Sequence, residues 1–573
     1  MDEVAPWTGA PAGTGVRGPY WKAGSWSTLP FSLGAGLCCG FPADMAAKGT
    51  ADARYRAPMF AMPTRHAAWI CLAALAACQT AATKAAPPGK RLPNIVILYA
   101  DDLGYGDLGT YALDSKIPTP NLDRLAAQGL RCLDAHSSSG ICTPSRYALL
   151  TGRHHWRQFH DIVDSFGPSV FQPGRLTMAD MLREHGYRTA CIGKWHLGWD
   201  WQALQKPDAK QVQKNGKPAG FLASAFDWQK PIPDGPCAHG FDHYFGDDVP
   251  NFPPYAWIKN DRVVVPPSVP FTPDPKPDEG TAEGREGPMV AGWRLDAVMP
   301  TLTEHAIAWL REQTRQEQPF FLYFPFTSPH APIVPTAEWK GRSGAGPYGD
   351  YVMQTDATVG AVLQTLDELD LADNTIVVFS SDNGPEIFAY DRIQKTGHHS
   401  TGELRGLKRD VFEGGHRVPM LVRWPAVIAE GAVTDALIGQ VDLMATFAAL
   451  VGHPLPANAA EDSFDLLPLL RGEQDNVRDF LVHNTYANKW AIRRGDWLLV
   501  DSKDGLHRKE PDWQKKAEGY LDNPHPVALY DLRADPGQRN NVSAEHAAIV
   551  AELQTLLHRL REQGHSAPRL QRP

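Results

Sequence analysis

Cysteine is scarce in this chain: eight among 573 residues, with no two in a C-x-x-C arrangement. Neither a zinc ribbon nor a dithiol redox motif is therefore signalled. Positive charge is in deficit. The formal net charge of −9 leaves no global basic field to gather nucleic acid or anionic lipid, although a local basic pocket remains allowed. No internal repeat is visible, which sets aside a repeat architecture. What remains is ordinary for a globular protein, 43% hydrophobic and 21% charged, in a chain long enough for a large core or for two domains.

The first 91 residues differ from the rest. Positions 1 to about 50 are rich in Gly, Ala and Pro without sustained periodicity, and read as disordered. Arg54, Arg56 and Arg65 then precede an apolar run from Ala67 to Ala77 and Cys78. A basic region, a short apolar core and small residues make a secretory signal, and the run is too short to span a bilayer comfortably. Leu75-Ala76-Ala77-Cys78 resembles a bacterial lipobox, which implies a lipid anchor on Cys78 and an exported, periplasmic or cell-surface lipoprotein. A buried apolar helix is the alternative. Ala81 to Arg91 reads as a tether.

From residue 92 the pattern is α/β. Asn94 to Tyr99 is a continuous apolar run, as expected of a strand buried on both faces. Further strands are expected at Tyr187–Gly193, Phe320–Phe326 and Thr375–Ser380. Helices are expected at Asn121–Gln128, Leu176–His185, Thr301–Arg315 and Tyr351–Leu369. This alternation predicts a large, mostly parallel sheet flanked by helices over 92–472. Lys206–Pro236 and Pro266–Pro288, polar and Pro-bearing, read as loops or insertions. A smaller α+β domain is expected over 473–565, from short strand signals at Trp490–Val500 and Leu529–Leu532 and a last helix over Ala544–Arg561.

In open α/β sheets, ligands sit beyond the carboxyl ends of the strands. Four predicted strands run into polar clusters there: Asp101-Asp102, Lys194-Trp195-His196, Ser328-Pro329-His330 and Asp382-Asn383-Gly384. One such ending is routine; four argue for one convergent site. Asp101, Asp102, Asp382 and Asn383 supply only oxygen, which suits calcium or magnesium better than zinc, against the plainer reading that they cap turns. Cys142, in Ser138-Ser139-Gly140-Ile141-Cys142-Thr143-Pro144-Ser145-Arg146, sits where Pro144 suits the first turn of a helix. Such an N-terminus favours anions, and Arg146 adds a cation. A thiolate phosphatase loop wants arginine six places after its cysteine, and position 148 is alanine.

Cys142-Thr143-Pro144-Ser145-Arg146, followed by Leu149-Leu150-Thr151-Gly152-Arg153, resembles the signature of the type I, formylglycine-dependent (arylsulfatase-like) sulfatases of the alkaline phosphatase superfamily. Ala100 to Asp107, Gly193 to Gly198, Ser380 to Gly384, and Lys408 with Phe412 to Pro419 resemble that family's other motifs, in family order. The resemblance implies an alkaline-phosphatase-like fold and hydrolysis of sulfate monoesters of a sulfated carbohydrate or aryl alcohol. It implies that a separate formylglycine-generating enzyme oxidises Cys142. It implies calcium, ahead of magnesium, held by Asp101, Asp102, Asp382, Asn383 and the nucleophile at position 142. Arg146 would steady the aldehyde hydrate, and Lys194 and Lys408 would neutralise sulfate oxygens. His330 would protonate the leaving alcohol, and His196 would help regenerate the aldehyde. A phosphonate or phosphate monoester hydrolase using the same formylglycine site is the nearest alternative. His398-His399 read as a solvated loop, with the cleft mouth as the alternative. His154-His155 read as surface or packing, His136 as structural, and Gly246-Asp247-Asp248 as a loop near substrate.

Overall fold

The computed structural model describes residues 91–214, 217–281 and 284–568. The proposed signal, lipobox and Cys78 lie outside them. The main sheet has ten strands: β1 (Asn94–Ala100), β2 (Leu130–Cys132), β3 (Arg188–Lys194), β4 (His243–Asp248), β5 (Ile258–Lys259), β6 (Arg262–Val263), β7 (Phe320–Pro325), β8 (Thr375–Ser381), β9 (Met420–Arg423) and β10 (Ala432–Thr434). Their order is β10-β2-β9-β8-β1-β7-β3-β4-β5-β6. The five central strands, β8 to β4, run parallel; β9 turns antiparallel on one side and β5 on the other.

Strand β1 shows why a continuous apolar run becomes a central strand. Its side chains alternate between faces. Ile95, Ile97 and Tyr99 join a core with Tyr147, Leu149, Met178, Leu182, Met444 and Phe447. Val96, Leu98 and Ala100 join a second core with Leu302, Leu310, Val359 and Leu363. Helices Cys142–Thr151, Met178–Glu184 and Leu443–Val451 thus cover one face, and Val298–Gln313 and Gly346–Glu368 the other. A buried Ile, Val or Leu contributes about 1.5–3 kcal/mol, so both faces hold the strand in register.

A second, antiparallel sheet is formed by β11 (Phe480–Asn484), β12 (Trp490–Arg494), β13 (Trp497–Val500) and β14 (Ala528–Asp531), in that order. Val482, Ile492, Leu499 and Leu529 pack on Leu553, Leu556, Leu557 and Leu560 of helix Ala547–Glu562. The opposite face, through Ala491, Leu498, Val500, Ala528 and Tyr530, packs on Val411 and Phe412. This sheet belongs to the same compact unit as the main sheet.

The two insertions carry more order than their polar, Pro-bearing sequences suggest. Gln211–Lys214 pairs antiparallel with Lys217–Phe221, and Val269–Phe271 with Gly287–Met289. Pro270 faces Pro288 in the second ribbon, where proline marks the strand against the usual propensity.

Candidate active site

Register brings the two acidic pairs together. Ala100 pairs with Ser381 at the ends of β1 and β8, so Asp101-Asp102 and Asp382-Asn383 leave the sheet side by side. The Asp382 amide donates to Ala100 O (3.1 Å), and the Asp102 amide to Asp382 Oδ1 (3.1 Å). Beyond β7, Ser328 O accepts from the Asp101 amide (3.0 Å) and the chain continues to His330. Strand β3 ends on Lys194. Its Gly193 has φ 129°, and a Cβ there would lie 1.9 Å from Pro325 O, so only glycine lets β3 pass β7 this closely. Lys408 docks onto the acidic turn through its amide, which donates to Pro385 O (2.9 Å). Asp102 and His196 hold left-handed backbone, φ 64° and 52°, unusual for side-chain-bearing residues.

The helix Cys142–Thr151 is buried along its whole length and stops at Gly152, which takes φ 63°. Cys142 stands at its first turn, 3% exposed. One turn on, Arg146 reaches under the acidic pairs: Nη2 donates to Asp382 Oδ2 (2.7 Å), Nε to the same oxygen (3.1 Å), and Nη1 to Lys194 O (3.2 Å).

Each buried carboxylate has its own cation. Lys194 Nζ lies 2.6 Å from Asp101 Oδ2, Lys408 Nζ 2.6 Å from Asp102 Oδ1, and Arg146 binds Asp382. Buried charge survives only when paired in this way. Burial alone would raise the Asp102 carboxyl, but Lys408 and His330 beside it hold it well below the usual carboxylate range. Asp382 behaves oppositely: burial and the neighbouring Asp101 push it up to about 6, despite Arg146 and Lys194. Burial and Lys408 push His330 down to about 3, against the pull of Asp102. His196 is pushed well below its ordinary value by burial, Lys194 and Arg146. Burial also raises the Cys142 thiol, only partly opposed by Lys194 and Lys408. An unmodified Cys142 is thus a poor thiolate.

The donor set fits a hard divalent cation. Asp101 Oδ1 and Asn383 Oδ1 are buried and accept no hydrogen bond. Asp101, Asp102 and His330 offer ligand atoms within 4.8 Å of one another. The crowding that raises Asp382 is what a cation among the carboxylates relieves.

Every site residue named from the sequence lies in this cluster or at its edge. His330 Nε2 is 3.6 Å from Asp102 Oδ2, while Nδ1 contacts the Ala331 carbonyl. His196 Nε2 faces Val163 O (3.0 Å), and its Nδ1 is buried without a partner. Other expectations shift. His398 is buried, with Nε2 2.8 Å from Asp107 Oδ1, rather than on a solvated loop. His154 and His155 are buried packing residues, one of the two expected placements. Gly246 to Asp248 is the end of β4, and Asp248 Oδ1 accepts from the His196 amide (3.2 Å). Cys142, His196, His330 and Lys408 open on a cleft of about 860 Å³. Its walls add residues the sequence did not single out: Phe252, Arg285, Glu386, Arg409, Tyr486 and Arg508. Arg285 comes from the Pro-rich insertion and stacks over the Phe252 ring (3.7 Å), whereas Tyr486 and Arg508 come from the C-terminal region. Outside any motif, these positions carry no local signal.

Comparison with known proteins identifies the family. Residues 93–453 match the Sulfatase family, and residues 405–563 match the C-terminal region of N-sulphoglucosamine sulphohydrolase. The chain is 35% identical over 517 residues to an N-acetylgalactosamine-6-O-sulfatase of Bacteroides thetaiotaomicron, covering 85% of this chain and 96% of that one. It is 34% identical over 493 residues to arylsulfatase A of Homo sapiens, covering 82% and 87%. A solved structure from work on the metabolism of multiple glycosaminoglycans by Bacteroides thetaiotaomicron superposes with a TM-score of 0.70 at 33% identity, covering 82% of this chain and 100% of that one. From its strand-end cluster to its C-terminal sheet, the chain belongs to the sulfatase family, the type I sulfatases of the alkaline phosphatase superfamily, and is a sulfuric ester hydrolase.

Proposed function

We propose that this sulfatase cleaves sulfate monoesters of a carbohydrate, using formylglycine made from Cys142 and a calcium ion held by Asp101, Asp102, Asp382 and Asn383. The observation that carries the reading is the placement of Cys142: a poor thiolate, at a helix N-terminus, opening on the cleft beside three cation-paired carboxylates. A formylglycine hydrate supplies a hydroxyl nucleophile, and calcium lowers the cost of ionising it.

The chain's own residues do the rest. Arg146 holds Asp382 in place and sets positive charge behind position 142. Lys194 and Lys408 bring fixed cations to the sulfate oxygens, effective because both are buried. His330 has Nδ1 turned to the Ala331 carbonyl, so Nε2 is the atom that carries a proton to the leaving alcohol. That imidazole is held neutral in the free site, and an incoming sulfate anion favours its protonation. His196 keeps Nε2 on Val163 O, which leaves Nδ1 to accept a proton when the aldehyde is regenerated.

Charge supports sulfate over phosphate. Calcium with Arg146, Lys194 and Lys408, set against Asp101, Asp102 and Asp382, balances an ionised nucleophile plus a monoanionic ester. A dianionic phosphate leaves an unpaired negative charge in a buried site. The similarity to an N-acetylgalactosamine-6-O-sulfatase and the mixed aromatic and charged cleft wall support a sulfated carbohydrate. Protein co-produced with a formylglycine-generating enzyme and loaded with calcium is expected to release sulfate from 6-sulfated N-acetylgalactosamine oligosaccharides. It should prefer a sulfate to a phosphate ester of the same alcohol by kcat/KM. A phosphate preference would favour the phosphoester or phosphonate reading. Export, with a lipid anchor at Cys78, completes the proposal.

A further inference from the structure

A second cluster of ligating side chains shares no residue with the first and joins a short two-stranded sheet, a helical turn and the C-terminal sheet. His136 ends the short strand Ala135–His136, His416 ends the helical turn Glu413–His416, and His483 lies on β11. All three are fully buried. Their ligand atoms fall within 4.8 Å of one another.

The hydrogen bonds around this trio fix which nitrogens carry hydrogen. His136 Nε2 faces Asp134 Oδ1 at 2.8 Å. A carboxylate only accepts, so Nε2 is the N–H. His416 Nε2 faces the Val411 carbonyl at 3.2 Å, and again must donate. In two neutral rings the remaining nitrogens, both Nδ1, are then bare lone pairs. They point at each other across 3.1 Å. Two buried acceptors at that distance repel unless a cation or a shared proton lies between them.

We propose that His136 Nδ1, His416 Nδ1 and a ring nitrogen of His483 bind a zinc ion that joins the catalytic domain to the C-terminal sheet. Four features carry this. Metal-bound histidines usually donate their second N–H to a carboxylate or a backbone carbonyl, which is the pattern at His136 and His416. The 3.1 Å separation is close to the edge of about 3.3 Å that two Zn–N bonds of 2.0–2.1 Å make in a tetrahedron. His483 is buried with neither ring nitrogen hydrogen-bonded. Its ring lies parallel to that of His416, centroids 3.6 Å apart, and one of its nitrogens lies within 4.8 Å of the ligand atoms of His136 and His416. Finally, Glu413 Oε1 is buried and unpartnered, and Glu413 shares a second set of ligand atoms within 4.8 Å with His136 and Asp134, so a carboxylate lies beside the trio.

The charges choose the metal class. Asp134 and Glu413 are already balanced by Arg417 and Arg493, which pair with both. Affinity must come from imidazole lone pairs, which suits zinc and not the hard cations bound through oxygen.

The test uses the full-length, purified enzyme. After dialysis against zinc and then metal-free buffer, elemental analysis is expected to find about one zinc per chain. Protein stripped by chelator and loaded with cobalt(II) is expected to show the visible bands of four-coordinate ligation by three imidazoles and one further ligand. Asp382→Asn, altered in the catalytic cluster, should keep those bands; His483→Gln and His136→Gln should lose them. Stripped wild type should gain roughly a few degrees in Tm on adding zinc. Zinc below about one tenth of an equivalent, or a cobalt spectrum lacking those bands in wild type, overturns the proposal and leaves a proton shared between His136 and His416. The wild-type spectrum decides the matter even if the histidine variants do not fold.

Discussion

Asp382→Asn tests the electrostatics of the catalytic cluster without changing its shape. The Asp382 carboxyl, ordinarily near 3.8, is pushed to about 6 by burial and by Asp101. A raised folded-state value means that the folded chain prefers the protonated acid. Stability from this group is therefore complete below the unfolded value and is lost as pH rises through the folded one. About two pKa units at 1.36 kcal/mol each give a loss of about 3 kcal/mol between roughly pH 4 and pH 6.5 in metal-free protein. Other buried acids, among them Asp247 and Asp442, titrate upward too. The informative quantity is therefore the difference between wild type and variant. In urea unfolding with chelator present, Asp382→Asn should gain about 3 kcal/mol relative to wild type across that window. Calcium should stabilise wild type increasingly with pH and the variant much less. A difference that stays flat with pH, or a variant that loses ground near pH 6.5, would refute the argument: Arg146 would then be stabilising the carboxylate more than Asp101 and burial oppose it.

Other predictions address the chemistry. Peptide mass spectrometry of co-matured protein should find an aldehyde at position 142, and Cys142→Ala should abolish turnover; active enzyme with an intact thiol would defeat the proposed nucleophile. His330→Gln should lower kcat/KM by about 10²–10⁴-fold on sugar sulfates but much less on nitrophenyl sulfates, whose leaving group needs no proton. Equal losses on both would remove His330 from the role of acid. Native protein should begin at a lipidated Cys78, as N-terminal sequencing and detergent partitioning would reveal; a soluble cytoplasmic chain starting at Met1 would contradict the export reading.

The clustering of the proposed site residues was legible because they sit at strand ends inside motifs, and β1 was legible as a run apolar enough for two buried faces. Asp101, Asp382 and Lys194 needed only the rule that ligands gather at the carboxyl ends of parallel strands. The cleft wall was not legible. Arg285 rides on a Pro-rich insertion, and Tyr486 and Arg508 reach the cleft from the C-terminal region, so nothing local marks them. The trio His136, His416 and His483 was invisible for the same reason. Each is a lone histidine in its own segment, and only tertiary packing turns their lone pairs toward one point. His398, expected on a solvated loop, is instead drawn inward by a buried acceptor, Asp107.

The burial of Cys142 has a consequence for timing. A residue 3% exposed on a helix packed along its whole length is beyond the reach of a maturation enzyme once the chain has collapsed. Under the proposed chemistry, oxidation and folding are competitors. Each chain passes once through a window in which the Cys142 segment is extended, and a molecule that folds first is sealed in an inactive form. The specific activity of a preparation then measures the outcome of a race. A change that hastens formation of the core around Tyr147, Leu149 and Leu150 would lower the active fraction while leaving every catalytic residue in place.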